Sequence, residues 1–228
     1  ISSFLKMIKK IKPKTPKYWS RACHELSIKD KKMAHLISRF SNLKIQSHGD
    51  PFTTLTRSIV GQQISVVAAE SIWRKLCYVT LPNNTKEQEI LVLEPSMILK
   101  NHYKLDSVGL STRKNQYIYE LAKYFVNNKV FSEHLMSMND ECIYKTLISF
   151  AGIGTWTINM FKIFCLLQPD IFPEKDLGLK NAIYKIYEIK KKDQQLENII
   201  KISENWKPWR TVATWYLWCS VDPDPINY

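Results

Sequence analysis

Apolar residues recur three and four positions apart along most of this 228-residue chain, and no stretch sustains period-two alternation. That pattern predicts helices and no sheet. Ile28, Met33, Leu36, Ile37 and Phe40 fall on one helical face. Thr53 or Thr54 is placed to cap a second helix through Leu55, Ile59 and Val60 to Gly61, and Ser65 to open a third through Val66, Ala69, Ile72, Trp73 and Leu76. Ser111 reads as the cap of a helix carrying Tyr117, Ile118, Leu121, Ala122 and Phe125, and Asn139 as the start of one with Ile143, Thr146, Leu147 and Phe150. A helix over 155–167 is expected to stop at Pro169. Helices over 177–187, 194–203 and 208–219 should follow, the last with Pro208 in its first turn. Residues 81–89 are polar and read as a surface loop. The expected fold class is all-α, a helical bundle with short loops.

A hydrophobic share of 45% with 12% aromatic residues excludes a disordered chain. Six glycines are too few for the turns and phosphate loops of a Rossmann-type protein. Seven tryptophans are a heavy load for this length, and some should have work beyond packing. The net charge is +12, and residues 1–50 hold 12 Lys and Arg against only Glu25, Asp30 and Asp50. Such an excess suits a polyanionic partner, or else reflects a lysine-rich composition without one. Residues 1–17, with six lysines, two prolines and no acid, read as a basic tail, solvated unless a partner or the core orders it. Cys23, Cys77, Cys142, Cys165 and Cys219 form no CxxC pair, which argues against zinc and iron–sulfur sites and for reduced, intracellular thiols. No run reaches a membrane-spanning length.

The segment from Leu147 to Thr157 carries the most chemistry. An apolar helix runs into Gly152-Ile153-Gly154, and another helix starts at once. Two glycines two apart let the backbone turn with positive φ and, lacking Cβ, let a phosphate approach the main-chain N–H groups. The new helix offers its unpaired N-terminal donors and the positive end of its dipole to the same anion, while Ile153 plugs the hairpin into the core. An ordinary helix-to-helix turn has the same sequence. Downstream, Asp176 precedes an apolar helical run and reads as its N-cap.

The hairpin with an Asp after a Pro-containing loop resembles the helix-hairpin-helix DNA glycosylase superfamily. Pro51 to Ser65, Gly109-Leu110-Ser111-Thr112-Arg113-Lys114, Lys207-Pro208-Trp209-Arg210 and Tyr18-Trp19 resemble, in family order, the DNA-3-methyladenine glycosylase II family. The resemblance spans roughly residues 18–220 and implies a compact helical core of two lobes with the active-site cleft between them, preceded by the basic tail 1–17. It implies a monofunctional glycosylase that flips alkylated purines out of duplex DNA and excises them, starting base-excision repair. The rivals are a glycosylase for oxidised or mismatched bases and a non-catalytic hairpin DNA-binding protein.

The resemblance also assigns roles. Asp176 becomes the catalytic carboxylate, a role compatible with capping. Trp156 and Trp218 supply aromatic faces for a cationic base, and Met160 joins the pocket edge. Gly152, Ile153, Gly154 and Thr157 form the DNA-binding hairpin. Gln63 fills the gap left by the flipped base. Arg57, Ser65, Arg113, Lys114 and Arg210 are candidate phosphate contacts. Relatives that also cut the backbone carry Lys where Trp156 stands, so no Schiff-base chemistry is expected. The partner implied is damaged double-stranded DNA bound by a monomer, away from membranes. The location implied is the bacterial cytoplasm, at the nucleoid, or the nucleus in a eukaryote. No catalytic metal or redox cofactor is implied, only a monovalent cation bridging the Gly152 and Gly154 region and a phosphate.

Overall fold

The computed structural model describes residues 13–80, 92–190 and 195–222. The expected loop over 81–89 and most of the basic tail lie outside the described residues. Twelve α-helices follow in chain order: α1 Trp19–Lys29, α2 Lys31–Arg39, α3 Pro51–Gly61, α4 Val66–Thr80, α5 Pro95–Lys100, α6 Thr112–Asn127, α7 Phe131–Ser137, α8 Asp140–Ile148, α9 Thr155–Phe164, α10 Leu177–Ile186, α11 Leu196–Glu204 and α12 Arg210–Val221. A 3-10 helix spans His102–Val108, and a lone bridge pairs Lys14 with Ser47. Among the described residues there is no β-strand, so the fold is all-α as the periodicity predicts. No described helix is long and apolar enough to cross a membrane.

The chain divides into two compact units. One contains α3 to α9. Its centre is α3, in which nine of eleven residues are buried, and which packs against α4, α6 and α9. Three of the four buried hydroxyls of that helix are paired, and Thr56 Oγ1 has no partner among the described residues. Thr54 donates to the Asp50 carbonyl, Ser58 to the Thr54 carbonyl, and Thr53 accepts from the Leu93 N–H. An aromatic chain supports the end of α8. Phe150 meets Tyr124 edge-on at 4.8 Å, Phe131 at 5.9 Å, and Phe131 continues to Phe125 at 5.0 Å.

The other unit contains α1, α2, α10, α11 and α12. Its centre is α12, with eight of twelve residues buried, packed on α10, α2 and α1. Several tryptophans are spent here on anchoring. Trp206 donates from Nε1 to Asp30 at 3.1 Å and Trp209 to Glu25 at 2.6 Å, while Tyr18 stacks on Trp209 at 5.5 Å. Asp30 also receives the Tyr187 hydroxyl. Burial, then this carboxylate, hold that phenol above the ordinary tyrosine range.

Four expectations about element ends give way. The helix expected around Ile28 to Phe40 is two helices. Asp30 interrupts them, accepting from Lys32 N and Met33 N to cap α2, and Ile28 is 72% exposed because α1 turns Trp19, Ala22 and Leu26 inward instead. The cap of α3 is Asp50, which accepts from Thr53 N at 2.7 Å, with Pro51 in the first turn. Thr53 and Thr54 lie inside the helix. α9 ends at Phe164, and Leu167 adopts a left-handed φ of 53° two residues before Pro169. α12 starts at Arg210, beyond Pro208, because its first donors find partners there: Arg210 N the Asp170 carboxylate and Thr211 N the Pro169 carbonyl. The caps read at Ser111, Asn139 and Asp176 stand as expected. All five thiols are free, and burial pushes those of Cys77 and Cys219 up to about 12.

Candidate active site

The hairpin lies between α8 and α9. Ile153 is 4% exposed and plugs inward as expected. The two glycines do different jobs, which corrects the reading that both turn with positive φ. Gly152 alone is left-handed, at φ +81°. A Cβ there would lie 2.2 Å from Tyr117 Cδ2, so its bare α-carbon admits a tyrosine ring and not a phosphate. Gly154 has φ −107° and ψ −179°, ordinary extended backbone, and nothing lies within 4 Å of where its Cβ would be. It is the N-cap of α9 and brings no side-chain cap to the first turn. The open approach to the α9 N–H donors is therefore over Gly154 and Thr155, both exposed.

Thr157 is not on this surface. It is 1% exposed, and its hydroxyl accepts from Gln62 Nε2 at 2.8 Å. Gln62 Nε2 donates also to the Gly152 carbonyl at 2.8 Å, tying the α3–α4 loop to the hairpin. The cation expected near Gly152 and Gly154 fits poorly. Gly152 O already accepts from Gln62, and Gly154 O accepts from Ile158 N at 3.0 Å. An N-cap carbonyl points down its helix, away from the N-terminal donors.

Beyond α3 the loop is held from two sides. Lys114 Nζ donates to the Val60 carbonyl at 2.9 Å and the Gln62 carbonyl at 2.8 Å. Burial of that amine lowers its pKa. Lys114 thus serves as a cap for α3 and not as a phosphate contact. The next residue, Gln63, is exposed with a left-handed φ of 56°, at the loop tip where a projecting side chain belongs. Replacing Gln62 with Ala should leave the Thr157 hydroxyl unpaired and cost about 1–3 kcal/mol. Urea unfolding of the two proteins checks this, and an unchanged midpoint would show that the tie contributes nothing.

The remaining cations sort by what they touch. Arg57 is 2.7 Å from Glu70, lies over Trp73 at 4.9 Å, and its side chain is 11% exposed, so it braces α3 on α4. Arg210 forks onto Asp170 at 2.7 and 2.9 Å. Neither is placed as a phosphate contact. Ser65 is exposed and accepts from Ala68 N, capping α4. Arg113 is exposed and donates to the Tyr117 hydroxyl at 3.2 Å, on the same ring that packs under Gly152. Met160 is 2% exposed, a buried side chain and not a pocket rim. Trp156 is half-buried, with Cη2 3.9 Å from where a Gly61 Cβ would lie, so the ring tip covers the end of α3. Lys162 pairs with Asp140 at 3.1 Å.

In the other unit, Asp176 caps α10 from the loop after Pro173. Its N–H donates to the Pro173 carbonyl at 2.8 Å. Oδ1 accepts from Leu179 N at 2.6 Å and from Trp218 Nε1 at 3.0 Å. The carboxylate is thereby fixed by two donors from two helices, while Leu177 beside it is 70% exposed. Gly178 completes the arrangement: a Cβ there would stand 3.3 Å from Asp176 Oδ1 and 3.9 Å from Trp218 Cδ1. Sequence reasoning missed Gln62, Tyr117 and Gly178, because each acts through a contact with a residue distant in the chain or around a helix turn. No group of three or more His, Cys, Asp or Glu is placed to hold a metal among the described residues.

A model for the HhH-GPD superfamily of base excision DNA repair proteins matches residues 56–208. An alkylbase DNA glycosidase-like protein of Schizosaccharomyces pombe is 30% identical over 203 residues, covering 88% of this chain and 92% of that one. A DNA-3-methyladenine glycosylase of Bacillus subtilis is 29% identical over 183 residues, covering 79% of this chain but only 60% of the relative. Among solved structures, the Schizosaccharomyces pombe 3-methyladenine DNA glycosylase in complex with abasic DNA superposes with a TM-score of 0.74 at 26% identity, over 88% of this chain and 96% of that one.

Proposed function

The chain belongs to the HhH-GPD superfamily of base excision DNA repair proteins, and from that membership we propose that it is a monofunctional DNA glycosylase excising alkylated purines from duplex DNA. The observation that carries this reading is the Asp176 carboxylate, held at the start of α10 by Leu179 N and Trp218 Nε1. Cleaving an N-glycosidic bond builds positive charge on the deoxyribose. A fixed carboxylate stabilises that charge and orients the attacking water. One carboxylate suffices when the leaving base is already cationic, as 3-methyladenine and 7-methylguanine are. The family's relatives of that name support this substrate class.

DNA is held, in this reading, by the α9 N-terminus over Gly154, with the exposed Arg113 as a further phosphate contact, contacts that position the duplex without reading sequence. Gln63 fills the gap left by the extruded base. Trp156 occupies the place where strand-cutting relatives carry Lys, and Lys162 is paired with Asp140, which supports hydrolysis without lyase chemistry. The protein acts as a monomer on damaged double-stranded DNA, in the nucleoid of a bacterium or the nucleus of a eukaryote.

The test is a methylated duplex incubated with the protein, with released bases identified by chromatography and strand integrity read before and after mild alkali. Free 3-methyladenine and 7-methylguanine should appear, with strands breaking only after alkali. Absence of free base refutes the glycosylase reading, and breakage without alkali refutes the monofunctional one.

A further inference from the structure

Trp218 is expected from sequence to offer an aromatic face to the base. Its geometry gives it a second task. The edge of the indole that carries Nε1 faces Asp176, donating to Oδ1 at 3.0 Å, while Leu179 N takes the same oxygen at 2.6 Å. The two donors come from different helices, α12 and α10, so together they fix the carboxylate against rotation. Gly178 lies beside them: a Cβ there would crowd Oδ1 at 3.3 Å, tighter than ordinary contact, while meeting Trp218 Cδ1 at an ordinary 3.9 Å. Its backbone is not left-handed, so glycine is not required there by conformation. Alanine is the better helix former, and α10 forgoes that preference at this position.

We propose that Trp218 is a positioning residue, whose indole N–H holds Asp176 in its productive rotamer, and that Gly178 leaves the carboxylate uncrowded in that rotamer. The inference rests on the reading of Asp176 as the carboxylate that faces the sugar. A carboxylate free to rotate spends part of its time misdirected, and small misplacements of reacting groups are costly.

The decisive variant replaces Trp218 by its benzothienyl isostere, which keeps the ring shape and face and deletes only the N–H. Single-turnover release of 7-methylguanine should slow by about tenfold to hundredfold, with half-saturating enzyme concentration and Tm unchanged. Gly178→Ala should slow release in the same direction without lowering Tm. An isostere that retains the wild-type rate overturns the proposal. So does one that weakens substrate binding at an unchanged rate, since Trp218 would then be a stacking wall alone. The Trp218 indole N–H resonance gives a readout independent of activity and should shift in Asp176→Ala. If the wild type releases no base while that resonance still shifts, the clamp exists and the glycosylase reading is what fails. If the resonance does not move, the clamp itself is absent.

Discussion

Asp176→Asn will abolish release of alkylated base while leaving the fold and the affinity for abasic-site duplex intact. Asn keeps the size of Asp and its Oδ1 acceptor, so Leu179 N and Trp218 Nε1 retain their partner. The two residues are also near-equal as N-caps, so α10 should keep its start. What the substitution removes is the negative charge. At a separation of about 4 Å and an effective dielectric constant of about 20, that charge stabilises a developing cation by about 4 kcal/mol. Losing it corresponds to a rate loss on the order of 10³-fold. Single-turnover excision measured beside Tm and abasic-duplex binding checks all three parts. Excision within tenfold of wild type would show that Asp176 is only a cap. The superfamily's hairpin would then serve DNA binding alone in this chain.

How far these features were legible depended on the range of the interaction behind them. Local signals read true. Ser111, Asn139 and Asp176 each cap the helix expected of them, because a cap is settled within three residues of sequence. Ile153 is buried as its place between two glycines suggests. The errors have non-local causes. Arg57, Lys114 and Arg210 look alike in sequence as cations, yet Glu70, the Val60 and Gln62 carbonyls and Asp170, each distant in the chain, hold them. Thr157 belongs to the hairpin on its buried side, and its partner there, Gln62, lies 95 residues away in sequence. Gln62 and Gln63 are adjacent and identical in type, and only the fold assigns one to the hairpin and the other to solvent. α5, α7 and the 3-10 helix His102–Val108 are too short for periodicity to reveal.

The hairpin's two glycines should respond to the same substitution with opposite readouts. Gly152→Ala meets two penalties at once. The left-handed φ of +81° costs an L-residue about 1–2 kcal/mol, and a Cβ 2.2 Å from the Tyr117 ring forces a core displacement worth about 1–3 kcal/mol. The flexible end of a side chain moves cheaply, but the ring atoms in collision include Cγ, at 2.5 Å, near the stem of Tyr117. The sum, about 2–5 kcal/mol, corresponds to a Tm lower by roughly 5–15 °C for a chain of this size. Gly154→Ala meets neither penalty, since its backbone is extended and its Cβ enters open space. Its only stability cost is that Ala is a poorer N-cap than Gly by about 0.5–1 kcal/mol, so its Tm should fall by no more than about 1–4 °C. A methyl group over the α9 N–H donors nonetheless stands where a phosphate must approach, so duplex affinity should fall by about tenfold, the loss of roughly one charge-assisted hydrogen bond. Calorimetry and binding titrations at one fixed salt concentration separate the two variants. If Gly154→Ala binds duplex like the wild type, the phosphate does not approach over α9, and the hairpin's role in this protein is structural.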